Sequence, residues 1–195
     1  MSKLAVITLD FINDIANPKG KIPRSAQRIV ENQCVEKTNR ITAWARKNSM
    51  VVIHVKVGFS PSYIECPSHS PVFAKAKQYQ ALLLGSWGTE FVDALHVEDP
   101  DHILIKHRVS AFYNTDLETV LRAQQCEGLI LTGTATNMAV EATARDAHDR
   151  DYRVTVIKDA CEAADQETQE ASLANLARFT QVMSTEEFLS QDQVD

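Results

Sequence analysis

Two residues of this chain combine the right chemistry with a suitable setting for moving a proton, Asp10 and Lys106. Leu4-Ala-Val-Ile-Thr-Leu9 is a nearly continuous apolar run, the mark of a strand buried on both faces, and Asp10 stands just past its end. Asp101-His-Ile-Leu-Ile-Lys-His107 reads as the third strand of the chain, with Lys106 at its close. A carboxyl and an ammonium at strand ends can act as an acid–base pair; each taken alone is more simply a solvated terminus. A third stretch changes that balance: Gly128-Leu-Ile-Leu-Thr-Gly-Thr-Ala-Thr-Asn-Met-Ala-Val-Glu-Ala-Thr-Ala-Arg-Asp-Ala147. Leu129 to Leu131 form a short buried strand that Gly133 ends, and a helix begins near Asn137. Its stripe is Val140, Thr143, Ala144 and Ala147, and Thr136 or Asn137 is placed to cap it. A strand that breaks at glycine into a helix gathers several N–H groups and the positive end of a dipole. Such a corner can hold a bound anion or a developing oxyanion.

The elements that must position these groups follow from the hydrophobic pattern. Further strands are expected at residues 50–57, 152–159 and 179–183. Helices are expected at residues 24–47, 115–125 and 165–178, with short ones at 72–84 and 90–95 and one beginning at Thr185. Val30, Cys34, Thr38, Ile41 and Ala45 make the stripe of the first, and Thr115 with Glu118 a capping box for the second. Residues 59–90, rich in Pro and Gly, read as a long ordered loop of the kind that builds pockets. Strands alternating with helices through crossovers imply a three-layer α/β/α domain around a six-stranded, mostly parallel, Rossmann-like sheet covering residues 1–195. In such a sheet ligands bind outside the carboxyl ends of the strands, so Asp10, Lys106 and residues 134–139 converge on one pocket.

Composition narrows the function classes. The 195 residues are 44% apolar and 24% charged, enough for one sizeable core. A formal charge of −6 argues against nucleic acid as a partner. No apolar run reaches the roughly 20 residues that cross a bilayer. The first residues do not read as a secretory signal. Four scattered cysteines, Cys34, Cys66, Cys126 and Cys161, suit reduced thiols in the cytoplasm. No histidine has a partner at metal-ligand spacing and no G-x-G-x-x-G follows the first strand, so neither a metal nor a cofactor is expected.

Ile7-Thr-Leu-Asp-Phe11, Lys106-His-Arg-Val-Ser-Ala-Phe-Tyr-Asn-Thr-Asp-Leu117, Thr132 to Ala147 and Lys158-Asp-Ala-Cys161 together resemble the isochorismatase-like hydrolase superfamily over nearly the whole chain. That family includes isochorismatases and cysteine amidohydrolases such as nicotinamidases and N-carbamoylsarcosine amidases. The resemblance makes Asp10 and Lys106 two members of an Asp–Lys–Cys triad and puts the nucleophile at position 139. There this chain has Ala139, and a methyl group cannot attack a carbonyl. It also matches the peptide groups of Ala135 and Ala139 to an oxyanion hole and the Thr134–Ala135 bond to a non-proline cis peptide. Thr136, Phe11, Trp87 and Phe112, with Tyr113 beside them, are candidate pocket walls, and Arg108 a candidate carboxylate partner.

Three readings follow. The first is cysteine-independent hydrolysis of an isochorismate-type vinyl ether, with Asp10 as general acid and an anionic substrate that relieves the charge of Lys106. The second is an amidohydrolase of small amides or ureas whose nucleophile is replaced by Ala139. The third is a non-catalytic binding member. The family commonly forms dimers or higher oligomers, so a homodimer or larger homo-oligomer is expected.

Overall fold

The computed structural model describes residues 3–191. Its strands are β1 (Leu4–Leu9), β2 (Val51–Val57), β3 (His102–Lys106), β4 (Gly128–Thr134), β5 (Arg153–Glu162) and β6 (Gln181–Met183). They form one sheet in the order β3-β2-β1-β4-β5-β6, and every pairing is parallel. The helices are α1 (Asn13–Ala16), α2 (Ala26–Glu31), α3 (Cys34–Lys47), α4 (Ala76–Tyr79), α5 (Leu117–Ala123), α6 (Glu141–His148), α7 (Gln166–Leu176) and α8 (Thr185–Gln191).

The central strands are hydrophobic throughout because both faces are covered. Ile7, Leu9, Ile53, Val55, Leu129 and Leu131 pack on one side against Leu117 and Leu121 of α5, Ala144 and Ala147 of α6 and Leu176 of α7. Val6, Val52, Ile130 and Ile157 pack on the other against Ile41 and Ala45 of α3 and Phe188 and Leu189 of α8. This is the expected three-layer sandwich. Among the described residues no helix is long and apolar enough to cross a membrane.

Tertiary contacts rewrote several local expectations. The helix expected over residues 24–47 is two helices, because Gln33 adopts a left-handed φ of 54° between them. Val30, expected on the buried stripe, is consequently exposed. Residues 90–95 are not helical: Phe91 bridges Ile12 and Val92 N–H donates to Phe11 O, after which Leu95 N–H closes a turn on Val92 O. The helix expected over 72–84 shrinks to α4, since Leu82 is drawn away to give its N–H to Asp14. Thr115 accepts from Leu117 N–H, but Glu118 faces Arg150 instead of closing a capping box.

Gly133 does not end β4; the strand continues to Thr134 with a register shift at the glycine. Its φ of +136° is open to glycine, and a Cβ there would collide with backbone atoms of Leu9. The substitution Gly133→Ala should therefore destabilise the fold by about 2–3 kcal/mol, read as a lowered urea midpoint. An unchanged midpoint would show that this bulge tolerates a side chain.

Candidate active site

The sheet order brings the carboxyl ends of β1, β2 and β3 side by side, and the three cooperate. Asp10, in a left-handed φ of 57° just beyond β1, turns its carboxylate across the end of β2. There its Oδ1 accepts from Val57 N–H at 2.9 Å, and its Oδ2 meets Lys106 Nζ on β3 at 2.7 Å. Lys106 also donates to the carbonyls of Arg108 and Val109, at 3.1 and 3.0 Å. An ammonium has three hydrogens, and all three are engaged. Both side chains are nearly sealed from solvent, with Asp10 3% and Lys106 1% exposed. Burial pushes the Asp10 carboxyl above the ordinary carboxylate range, against the opposing pull of Lys106 and the Val57 N–H.

Asp10 and Lys106 border a cavity of about 390 Å³, a size suited to a small molecule. It is also lined by Thr134 at the end of β4 and by Ala135, Asn137, Met138 and Ala139 from the turn that follows. That turn opens with a cis peptide between Thr134 and Ala135 and runs as a single π-helical turn, residues 136–140, into α6. Neither Thr136 nor Asn137 caps it; the Ala135 carbonyl instead accepts from the N–H groups of Met138 and Val140. Thr136 is buried outside the cavity lining, and its hydroxyl has no partner among the described residues. Ala139 is 3% exposed, with its methyl group both in the core and on the cavity wall.

The structure thus brings together Asp10, Lys106, Ala135 and Ala139, and leaves the aromatic candidates outside. Phe11 is buried against Ile29, Cys34 and Val35, and Phe112 lies in the main core beside Tyr152. Trp87 is 47% exposed and does not border the cavity. Arg108 turns away to the carbonyls of Glu65 and His107 and over the ring of Tyr113. Cys161, the nearest thiol in the motif, is buried under the Leu131 carbonyl, and burial raises its pKa well above the usual range.

The walls come instead from Ile15, Ile22, Arg24 and Ser25 after β1, and from Pro71, Val72, Phe73 and Leu82 in the long loop. That loop was legible as a pocket builder, but its individual residues were not. Buried Asp14 ties both segments, accepting Lys21 N–H and Leu82 N–H on its two oxygens. Ser25 Oγ pairs with Thr134 Oγ1 at 2.7 Å, which fixes the first segment to the end of β4. His54 lies away from the cavity, held between Thr8 and Asp101.

With this geometry in view, sequence comparison is decisive: the isochorismatase domain model matches residues 4–187. The chain belongs to the isochorismatase family of hydrolases. Ureidoacrylate amidohydrolase RutB of Methylorubrum extorquens is 35% identical, over 96% of this chain and 83% of the relative. The protein of the same name from Methylobacterium radiotolerans is 34% identical, over 89% and 73%. A cysteine hydrolase from Pseudomonas syringae pv. phaseolicola shares the fold with a TM-score of 0.86 at 27% identity, covering 96% of this chain and 91% of that one.

The buried pair lends itself to a direct test. In the substitution Lys106→Met the Asp10 carboxyl loses its counter-ion and its folded-state pKa climbs further. A raised folded pKa contributes stability that is present at low pH and lost as pH rises through it. The deficit of the variant should therefore widen from about pH 4 to about pH 7, reaching roughly 3–5 kcal/mol in chemical denaturation. A deficit that does not change with pH would uncouple Lys106 from Asp10.

Proposed function

We propose that this cavity is the site of a small-molecule amidohydrolase that addresses the C–N bond of an anionic amide or ureide. Ala139 stands in it where the family's amidohydrolases carry a thiol. The observation that carries this reading is the placement of Ala139: its methyl group shares one cavity with Asp10, Lys106 and Ala135. Relatives named for amide hydrolysis support it over the vinyl-ether reading that the sequence alone put first.

In the thiol-bearing arrangement Asp10 takes the thiol proton as sulfur attacks the carbonyl carbon. The N–H groups of residues 135 and 139 receive the oxyanion, and Asp10 returns the proton to the departing nitrogen. A carboxyl whose pKa burial has raised is a competent base and acid in turn, since each transfer is then closer to balanced. Lys106 holds that carboxyl in place; with its three donors engaged it has none left for the substrate. In the present chain the acid–base partner and the oxyanion donors remain while the attacking atom is missing. A bound amide therefore stays intact on the timescale of thiol catalysis.

Ala139→Cys should raise hydrolysis of 3-ureidopropionate and small amides at least about 10³-fold, measured as ammonia release. Adding Asp10→Asn to that variant should remove about 10²-fold or more of the gain. The unsubstituted chain should release no pyruvate from isochorismate. Pyruvate release abolished by Asp10→Asn would restore the ether reading, and ligand binding with a silent Ala139→Cys would favour a non-catalytic binding member.

A further inference from the structure

The cavity lining contains one acid and two cations, Asp10, Lys106 and Arg24. Asp10 and Lys106 neutralise each other, so the residual charge of the cavity rests on Arg24. Its basic neighbours are occupied: Lys21 donates to Gln80 O, Arg28 binds Glu162 and Gln166, and Arg108 reaches Glu65 O. Arg24, by contrast, has no side-chain hydrogen bond or ion pair among the described residues. Its backbone is nevertheless well fixed. Arg24 N–H donates to Ile22 O, and the next residue, Ser25, is bonded through its buried hydroxyl to Thr134. That bond places Arg24 on the β4 flank of the cavity, whereas Lys106 ends β3 three strands away in the sheet order. The other lining residue with an unengaged polar side chain near this flank is Asn137. Between the two ends the walls are apolar, formed by Ile15, Ile22, Val72, Phe73, Leu82 and Val109.

An unpaired guanidinium at the rim of an apolar-walled cavity is a recognition element for a planar anion, because its forked donors match a carboxylate in two parallel bonds. We infer that Arg24 is the specificity residue that selects a substrate carrying a carboxylate, with Asn137 beside it as an auxiliary donor. The inference rests on the amidohydrolase reading for which bond is cleaved, but not for what is bound. It gives the anionic character of that substrate a residue that reads it, and excludes neutral amides as the preferred occupants. It also transfers to Arg24 the role expected of Arg108.

The chain as it stands allows binding to be read without turnover. Calorimetric titration with 3-ureidopropionate and with its methyl ester should show the acid binding at least about tenfold tighter. Arg24→Gln should bring the two within about twofold, Arg24→Lys should keep part of the preference, and Arg24→Glu should reverse it in favour of a ureide bearing an amine. Arg122→Gln, which removes the same charge outside the cavity, should keep the full preference, and circular dichroism would verify the fold of each variant. An acid preference that survives Arg24→Gln, or no preference in the unsubstituted chain, would overturn the assignment. Turnover separates the two proposals. If Ala139→Cys hydrolyses acid and ester alike, Arg24 loses its role and the amidohydrolase reading stands. If Ala139→Cys is silent while acid binding still depends on Arg24, the reverse holds.

Discussion

The site depends on one buried ion pair and on how completely it is satisfied. Taking a carboxylate and an ammonium out of water costs several kcal/mol per ion, and their attraction compensates only when the remaining lone pairs and hydrogens also find partners. Here the Val57 N–H and the carbonyls of Arg108 and Val109 complete the set. Each partner lies at or just beyond the end of a strand. The left-handed turn at Asp10 aims its carboxylate sideways along the sheet edge instead of out toward solvent. Three parallel strands must therefore end in step before the pair can exist. Once formed, the pair adds no net charge to the cavity beside it, which leaves the chemistry of the opening to other residues.

Much of this was legible in the sequence. The apolar runs marked all the strands; in the central ones this is because a parallel sheet covered on both faces needs hydrophobic residues at successive positions, whereas edge strand β3 leaves Ile103 and Ile105 exposed. Asp10 and Lys106 stood out as the charged residues where those runs stop, and the rule placing ligands at carboxyl ends brought them together correctly. The helical stripe Val140, Thr143, Ala144 and Ala147 is buried as its spacing requires. Local patterns carried this information because it concerns burial, which each element expresses in its own residues.

What sequence could not show was set by partners distant along the chain. Asp14 holds Leu82 from 68 residues away, and Ser25 holds Thr134 across 109. No periodicity encodes such bonds, so the cavity walls stayed hidden while the buried Asp10–Lys106 pair was visible. The aromatic candidates failed for a related reason. Phe11 and Phe112 are large enough to be needed in the core, and the core claimed them. Arg108 stands close in sequence to Lys106, but carbonyls of its own neighbourhood capture it.

Glu162, at the end of β5, binds Arg28 and Asn32 near the start of the chain, more than 120 residues earlier. Its own backbone carbonyl receives Thr134 Oγ1, the same hydroxyl that Ser25 holds. The clamp on the segment bearing Arg24, begun by Thr134 of β4, is therefore completed only by β5, however early its own residues emerge. Closing so wide a loop costs chain entropy, which the contacts of Glu162 with Arg28, Asn32 and Thr134 must offset before this wall of the cavity is fixed. A chain truncated before β5 would carry the first strands of the sheet and still lack the partners that hold this wall. The order of this cavity wall thus rests on residues as late in the chain as Glu162.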